Sequence, residues 1–326
     1  MAFRRIDDIL KEHKTSVKEK GIYLPPEYKN CPSLETLSDV ELERMTKEIK
    51  QDLRAVKGRI IKKGKTLVIW RYPEEMAASR PYYSVLRVDR EDIPLIIKDR
   101  DANVHKLPSL HPTNEPVGTS LLRIIDAPTY SVIRGERYDY LQFIGGPRLA
   151  DIDLELIHPD DLNDVFYDLG RACAEAHVIG MIDRRRNTLV STAAINGSTF
   201  SDLIQTGARG IVHIDTASSL YQPALSRKPE NDTEMIIELL GFYKDLINFS
   251  QNDYLTKLFE GFRERYKAMQ SYFVENKLAV VAQIHSVAGD MARPILNRLD
   301  VNTTNIDSMV KILEQKIRHA IIYKRH

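Results

Sequence analysis

Apolar positions at helical spacing dominate the second half of the chain. Leu162, Val165, Phe166, Leu169, Ala172 and Ala176 form one stripe. Asp160 and Asp161 open it and Gly180 closes it, which predicts a helix ending at that glycine. Further helices are expected over 234–250, 255–275, 278–293 (stopped by Pro294) and 306–323. Near the N terminus, Leu42, Met45, Ile49, Leu53, Val56 and Ile60 recur at the same period. They follow a Ser38–Glu41 capping box, with Leu37 and Leu42 placed as its hydrophobic staple. This predicts an amphipathic helix over 39–62 whose other face carries Lys47, Lys50, Arg54, Lys57 and Arg59. That face is either a solvated surface or a contact for nucleic acid or an acidic partner.

Between these helical stretches the pattern changes. Residues 66–70, 82–88, 95–98, 130–134 and 138–143 are short runs rich in Val, Ile, Tyr and Leu, separated by Pro, Asp and Gly. They read as strands of a mostly antiparallel sheet. Residues 111–126, with Leu121, Leu122, Ile124 and Ile125, fit either a short helix or another strand. Two apolar islands, 188–190 and 210–214, interrupt the later helices as strand candidates. The expected order is a helical N-terminal extension over 1–65, a β-rich lobe over 66–145 and an α-helical lobe over 146–326.

Composition narrows the classes without naming one. The 326 residues are 43% hydrophobic and 29% charged, as in an ordinary globular protein. The 47 Lys and Arg against 46 Asp and Glu remove the case for a generally basic nucleic-acid binder. Cys31 and Cys173 form neither a disulfide framework nor a CxxC zinc pair. No run approaches the ~18 apolar residues of a membrane span, and the first residues lack a signal-peptide core, so a cytoplasmic protein is expected. His-Glu-x-x-His, Gly-x-Ser-x-Gly, Walker and Gly-x-Gly-x-x-Gly motifs are all missing from the sequence.

Candidate chemistry gathers after the longest stripe. Asp183 and Asn187 stand on a short connection between that helix and an apolar strand, and Asp215 follows the next strand candidate. Two carboxylates and a carboxamide brought together offer hard oxygen ligands for magnesium and a base for a hydroxyl. With positive charge on the phosphates, such a cluster suffices for phosphoryl transfer, whose catalysis is mostly positioning and electrostatics. Arg184, Arg185 and Arg186 could hold a phosphorylated substrate or an RNA backbone, or neutralise the nearby acids. Asp183 and Asn187 also suit a plain surface turn.

The order of these parts resembles the protein-kinase-like superfamily. Ala176-His177-Val178-Ile179-Gly180, then Asp183 to Asn187 followed by Thr-Leu-Val, then His213-Ile214-Asp215, is similar to its catalytic loop and metal-binding segment. The Asp-Arg start and the His-Ile-Asp triplet resemble phosphoinositide-kinase-like and other atypical branches. Tyr138 to Ile152 is similar to the fifth strand, hinge and short helix of these kinases. Leu258-Phe-Glu-Gly-Phe-Arg-Glu-Arg-Tyr266 resembles the C-terminal helix of RIO-type, aminoglycoside-kinase-type and tRNA-modification-complex kinases.

The resemblance implies an α+β, two-lobed protein-kinase-like fold, with a β-rich N-lobe, an α-rich C-lobe and the helical extension. It implies a Mg-ATP-dependent phosphotransferase, an atypical kinase acting on a hydroxyl of a protein or small molecule. Asp183 would be the catalytic Asp, Asn187 and Asp215 the ligands of Mg2+, and the backbone around Leu141 and Phe143 the meeting place for the adenine of ATP. Lys98 would bind phosphate with Glu115 as its ion-pair partner, although Pro116 is expected to push Glu115 out of helical geometry. A second register puts Arg87 in that role. Three departures support an alternative, an inactive pseudokinase serving as a scaffold. The Asp183–Asn187 spacing is one residue short, Thr216-Ala217 stands where Phe-Gly is usual, and no Gly-rich loop is visible. A third reading is a nucleic-acid or ribonucleoprotein partner using the basic helix. His177, His213 and Cys173 are expected to be packed residues.

Overall fold

The structure is a computed structural model. It describes residues 4–5, 8, 66–71, 82–88, 91–99, 114–127, 129–130, 132–134, 138–142, 156–181, 188–191, 210–213, 219–233, 236, 252–301 and 303–323. The first elements are strands β1 (Thr66–Arg71), β2 (Tyr82–Val88) and β3 (Glu91–Asp99), helix α1 (Asn114–Ile124), and strands β4 (Val132–Arg134) and β5 (Tyr138–Gln142). Helix α2 (Pro159–Ile179) precedes strands β6 (Thr188–Ser191) and β7 (Gly210–His213) and the short helix α3 (Gln222–Leu225). Helices α4 (Asn252–Glu275), α5 (Lys277–Ala288), α6 (Ala292–Leu299) and α7 (Thr303–Tyr323) complete the order.

The long apolar stripe becomes α2. Pro159 stands in its first turn, where a missing amide costs nothing, and Asp160 and Asp161 complement the positive end of the helix. The His158 ring accepts the Asp160 amide at 3.4 Å. Gly180 ends the helix in the left-handed region, φ 62°, and a side chain there would also collide with Leu225. Arg4 and Arg5 dock beside this start: the Arg4 amide donates to Leu156 O at 2.7 Å, and Arg5 pairs with buried Asp161 at 2.8 Å.

Helices α2 and α4 cross at two glycines. A Cβ on Gly170 would lie 1.8 Å from Leu258 O, and one on Gly261 would lie 2.0 Å from Tyr167 O. Each glycine thus lets one backbone touch the other. Around this crossing, Leu162, Phe166 and Cys173 of α2 meet Leu258, Phe262 and Met269 of α4 in one continuous core. Ile306, Val310, Leu313 and Ile317 extend it along α7, while Val280 and Ile284 extend it along α5. Helix α5 also packs against α1. Full burial of each large apolar side chain contributes roughly 1.5–3 kcal/mol before entropy is counted.

Strands pair antiparallel in the order β1-β2-β3-β5-β4, and β6 pairs with β7. Of the strand side chains that are described, Leu141 is buried but lies outside the continuous hydrophobic cluster, and helices make up most of the described residues. The expected α+β, two-lobed protein-kinase-like architecture with a β-rich N-lobe is therefore corrected to a helical body. The physical reason is that Val-, Ile- and Tyr-rich runs specify backbone pairing, whereas a lobe needs a sheet face buried in a core. Here long stripes at helical spacing supply that core.

Pro294 is a second correction. It does not stop a helix over 278–293. Helix α5 ends earlier, at Gly289 with φ 54°, and Pro294 lies in the first turn of α6. The first turn has amides without helical acceptors, so proline fits there. Among the described residues, no helix is long and apolar enough to cross a membrane. The expected basic helix over 39–62 lies outside the described residues.

Candidate functional site

Lys98 is the penultimate residue of β3, opposite Asp139 of β5 in the strand register. Its Nζ donates to Glu115 Oε2 at 2.7 Å, with the side chains 14% and 3% exposed. Glu115 is in the first turn of α1, contrary to the expectation from Pro116. Proline is accommodated because the turn needs no amide from it, and a carboxylate at a helix start is favoured by the dipole. The Tyr130 hydroxyl donates to the other carboxylate oxygen of Glu115. Thr119 Oγ1 secures the same turn by donating to the carbonyls of Glu115 at 3.1 Å and Pro116 at 3.0 Å. The lysine is thus a positioned cation beside a carboxylate fixed on both oxygens. Arg87 falls on β2, opposite Thr66 and Asp92, not on β3.

Leu141 of β5 is buried and pairs across the ladder with Ile96 and Val132. Phe143, Asp183, Asn187 and Asp215 lie outside the described residues, as do Arg184, Arg185 and Arg186. The elements beside them are described. Strand β6 starts at the residue after Asn187, and β7 ends two residues before Asp215. Thr188 pairs with His213, so these two strand ends share one end of the ladder. Met181, two residues before Asp183, is buried. No group of three or more His, Cys, Asp or Glu suited to a metal occurs among the described residues.

The packing expectations for the histidines and Cys173 agree with this geometry. His213 is buried, and its Nε2 donates to Ala172 O at 2.9 Å, tying β7 to α2. His177 donates to Pro229 O at 3.0 Å and meets the ring edges of Phe262 and Tyr266. Burial, with Arg298 nearby, holds its imidazole well below the usual histidine range. Burial pushes the Cys173 thiol far up, which removes it as a nucleophile at neutral pH.

Sequence reasoning missed the buried charges. Arg265 Nε donates to Glu175 Oε1 at 2.7 Å, and Arg298 pairs with Asp232 at 2.9 Å. Burial, opposed by Arg265, raises the Glu175 carboxyl. The signal was present for the first pair. Arg265 lies seven residues after Leu258 and Glu175 three after Ala172, so opposite charges occupy the apolar stripes of two helices. Tyr130 was missed because it reads as the start of a strand. No protein-family model matches this chain, and no curated protein matches it in sequence.

Proposed function

We propose that this chain is a Mg-ATP-dependent phosphotransferase, an atypical kinase transferring the γ-phosphoryl group of ATP to a hydroxyl of a protein or small molecule. The observation that carries this reading is the Lys98–Glu115 contact at 2.7 Å, braced by Tyr130. An ammonium held in place by a carboxylate is a point charge suited to phosphate oxygens. In this reading Asp183 orients the substrate hydroxyl, and Asn187 and Asp215 hold magnesium. The main chain near Leu141 and Phe143 meets adenine. Bound magnesium supplies charge neutralisation on the phosphates. Local chemistry, and not a two-lobed architecture, supports the assignment.

Thermal unfolding with magnesium and ATP tests it. Ligand at a hundredfold excess over Kd stabilises by about 2.7 kcal/mol, so the melting midpoint should rise. Lys98→Met and Asp215→Ala should each abolish that rise. No shift at millimolar nucleotide would overturn the proposal. ATP turnover unchanged in Asp183→Ala would remove Asp183 from its role. The shortened Asp183–Asn187 spacing and Thr216-Ala217 favour a second reading, a nucleotide-regulated scaffold. Stabilisation by nucleotide without turnover would select it.

A further inference from the structure

Helix α5 turns an uncharged face outward. Val280, Ile284 and Ala288 bury its inner side, which packs partly on α1. Leu278, Ala279, Ala282, Gln283, His285 and Ser286 lie exposed on the other side. From Leu278 to Ala288 the helix holds no Asp, Glu, Lys or Arg. Exposed positions of the neighbouring helices do carry charge: Glu264 and Glu275 on α4, and Asp307, Lys311 and Lys316 on α7. Leu278 is 90% exposed, and Val274, four residues earlier near the end of α4, is 54% exposed. One apolar face holds a helix to a core, and a helix without a charged face is ordinarily covered on both sides.

The two ends of α5 indicate what covers it. Lys277 opens the helix, whose first turn has no acid, and Asp290 follows its C terminus in the turn leading to α6. Each stands at the end where the dipole of α5 disfavours its charge. Lys277 pairs with Asp300 at 3.0 Å, but both side chains are more than half exposed, so the pair is weak. A second α5 laid antiparallel across the same face brings its negative C-terminal end and its acid beside Lys277. The twofold operation repeats that contact at the other end, so the surface complements itself. With the axis at Ala282, midway along the exposed side, each Leu278 lies level with Ser286 of the partner subunit. A membrane-surface helix, by contrast, needs basic residues along its polar flank, and α5 has Lys277 alone.

We propose that the outward face of α5 is a self-association surface, binding α5 of a second copy of this chain in antiparallel orientation. Leu278 and Val274 are its apolar anchors, and Lys277 facing Asp290 of the partner subunit forms its charged rim. The helix is about 18 Å long, and a contact built on one such face falls at or below the low end of specific interfaces, about 1,200 Å² in total. The dimer is therefore reversible and weak.

Sedimentation equilibrium of the full chain from ~1 µM to ~0.3 mM tests it, a range that covers micromolar dissociation constants. Wild type should pass from monomer to dimer mass as concentration rises. Leu278→Glu should raise the dissociation constant by about tenfold or more, because it buries an unpaired charge. Its melting midpoint at the lowest concentration should match wild type, since Leu278 is already in water in the monomer. Lys277→Glu and Asp290→Lys should each weaken the dimer by about tenfold, because each sets like charges together twice. The double variant restores opposite charges and should return to within a few-fold of wild type. Within one chain these two residues are about 20 Å apart along the helix, so such recovery requires contact between copies. A chain that stays monomeric throughout overturns the proposal and leaves the face to a different occupant. Leu278→Glu dimerising like wild type, or a double variant no tighter than the single ones, overturns it equally. If a charge-reversed variant fails to fold, Leu278→Glu decides.

Discussion

His177 shows how one buried ring converts packing into pH dependence. In the folded protein its Nε2–H faces Pro229 O at 3.0 Å, with Asp232 Oδ2 at 3.9 Å and the Arg298 guanidinium also close. Its Nδ1 has no hydrogen-bond partner among the described residues. A second proton there would lack an acceptor and stand near a fixed positive charge, so the folded ring stays neutral. The unfolded ring titrates near its ordinary value of about 6.5. Below that pH the unfolded chain binds the extra proton, so stability is present above it and lost as pH falls. The expected loss approaches about 1.4 kcal/mol per pH unit, until the lowered folded pKa is reached. Denaturant midpoints of wild type should therefore fall between neutral and mildly acidic pH, and His177→Gln should lessen that slope. Equal slopes would remove His177 as the source. The helix-end placement of this histidine was legible from the stripe before Gly180. Its two neighbouring charges, distant in sequence, were not.

Among elements, the α2–α4 crossing is the most constrained contact. Gly170 and Gly261 each face a carbonyl of the opposite helix, and a backbone cannot move aside like a flexible side chain. Gly170→Ala and Gly261→Ala should each destabilise by at least the ~1–3 kcal/mol typical of overpacked cores, despite alanine's better helix propensity. The checking measurement is chemical denaturation of each variant. A stability equal to or above wild type would mean that the helices separate more easily than their contact implies. Periodicity made α2, α4 and α7 readable, because each turns one long stripe toward the core. It could not separate α5 from α6, where the decisive residue is Gly289 and Pro294 only occupies a permitted first-turn position. It also left 111–126 undecided, since α1 is short and its start is secured by contacts from Lys98 and Tyr130. The Lys98–Glu115 pairing was expected only from the resemblance, with Pro116 counting against it, since Asp99 and Asp101 lie nearer in sequence; its geometry depended on tertiary context.

For the whole molecule, local β patterns were a poor guide to where the core would sit. The helical body is closed by contacts that span large sequence distances, and Arg298 is the clearest of them. It is 1% exposed. It donates to Asp232 Oδ2 at 2.9 Å and also to the carbonyls of His177 and Ala224. Its own carbonyl accepts the Tyr266 hydroxyl at 2.6 Å. One side chain thereby binds α6 to the end of α2 and to the segment 219–232. That segment also docks through the amides of Leu220 and Tyr221 on the carbonyls of Ile179 and Gly180, at 3.2 and 2.9 Å. Removing one member of a buried pair strands the other charge, at about 3–5 kcal/mol. Arg298→Met should therefore destabilise strongly and raise hydrogen exchange at Leu220 and Tyr221 before global unfolding. Asp232→Asn should do the same more mildly, because the amide oxygen still accepts from the guanidinium. The double variant should cost less than the sum of the two, since neither charge is left stranded. Additive losses, or exchange at Leu220 and Tyr221 unchanged in Arg298→Met, would show that the segment holds its place without the clamp. The coupling and the local exchange together separate a tie between distant elements from burial of a large side chain alone.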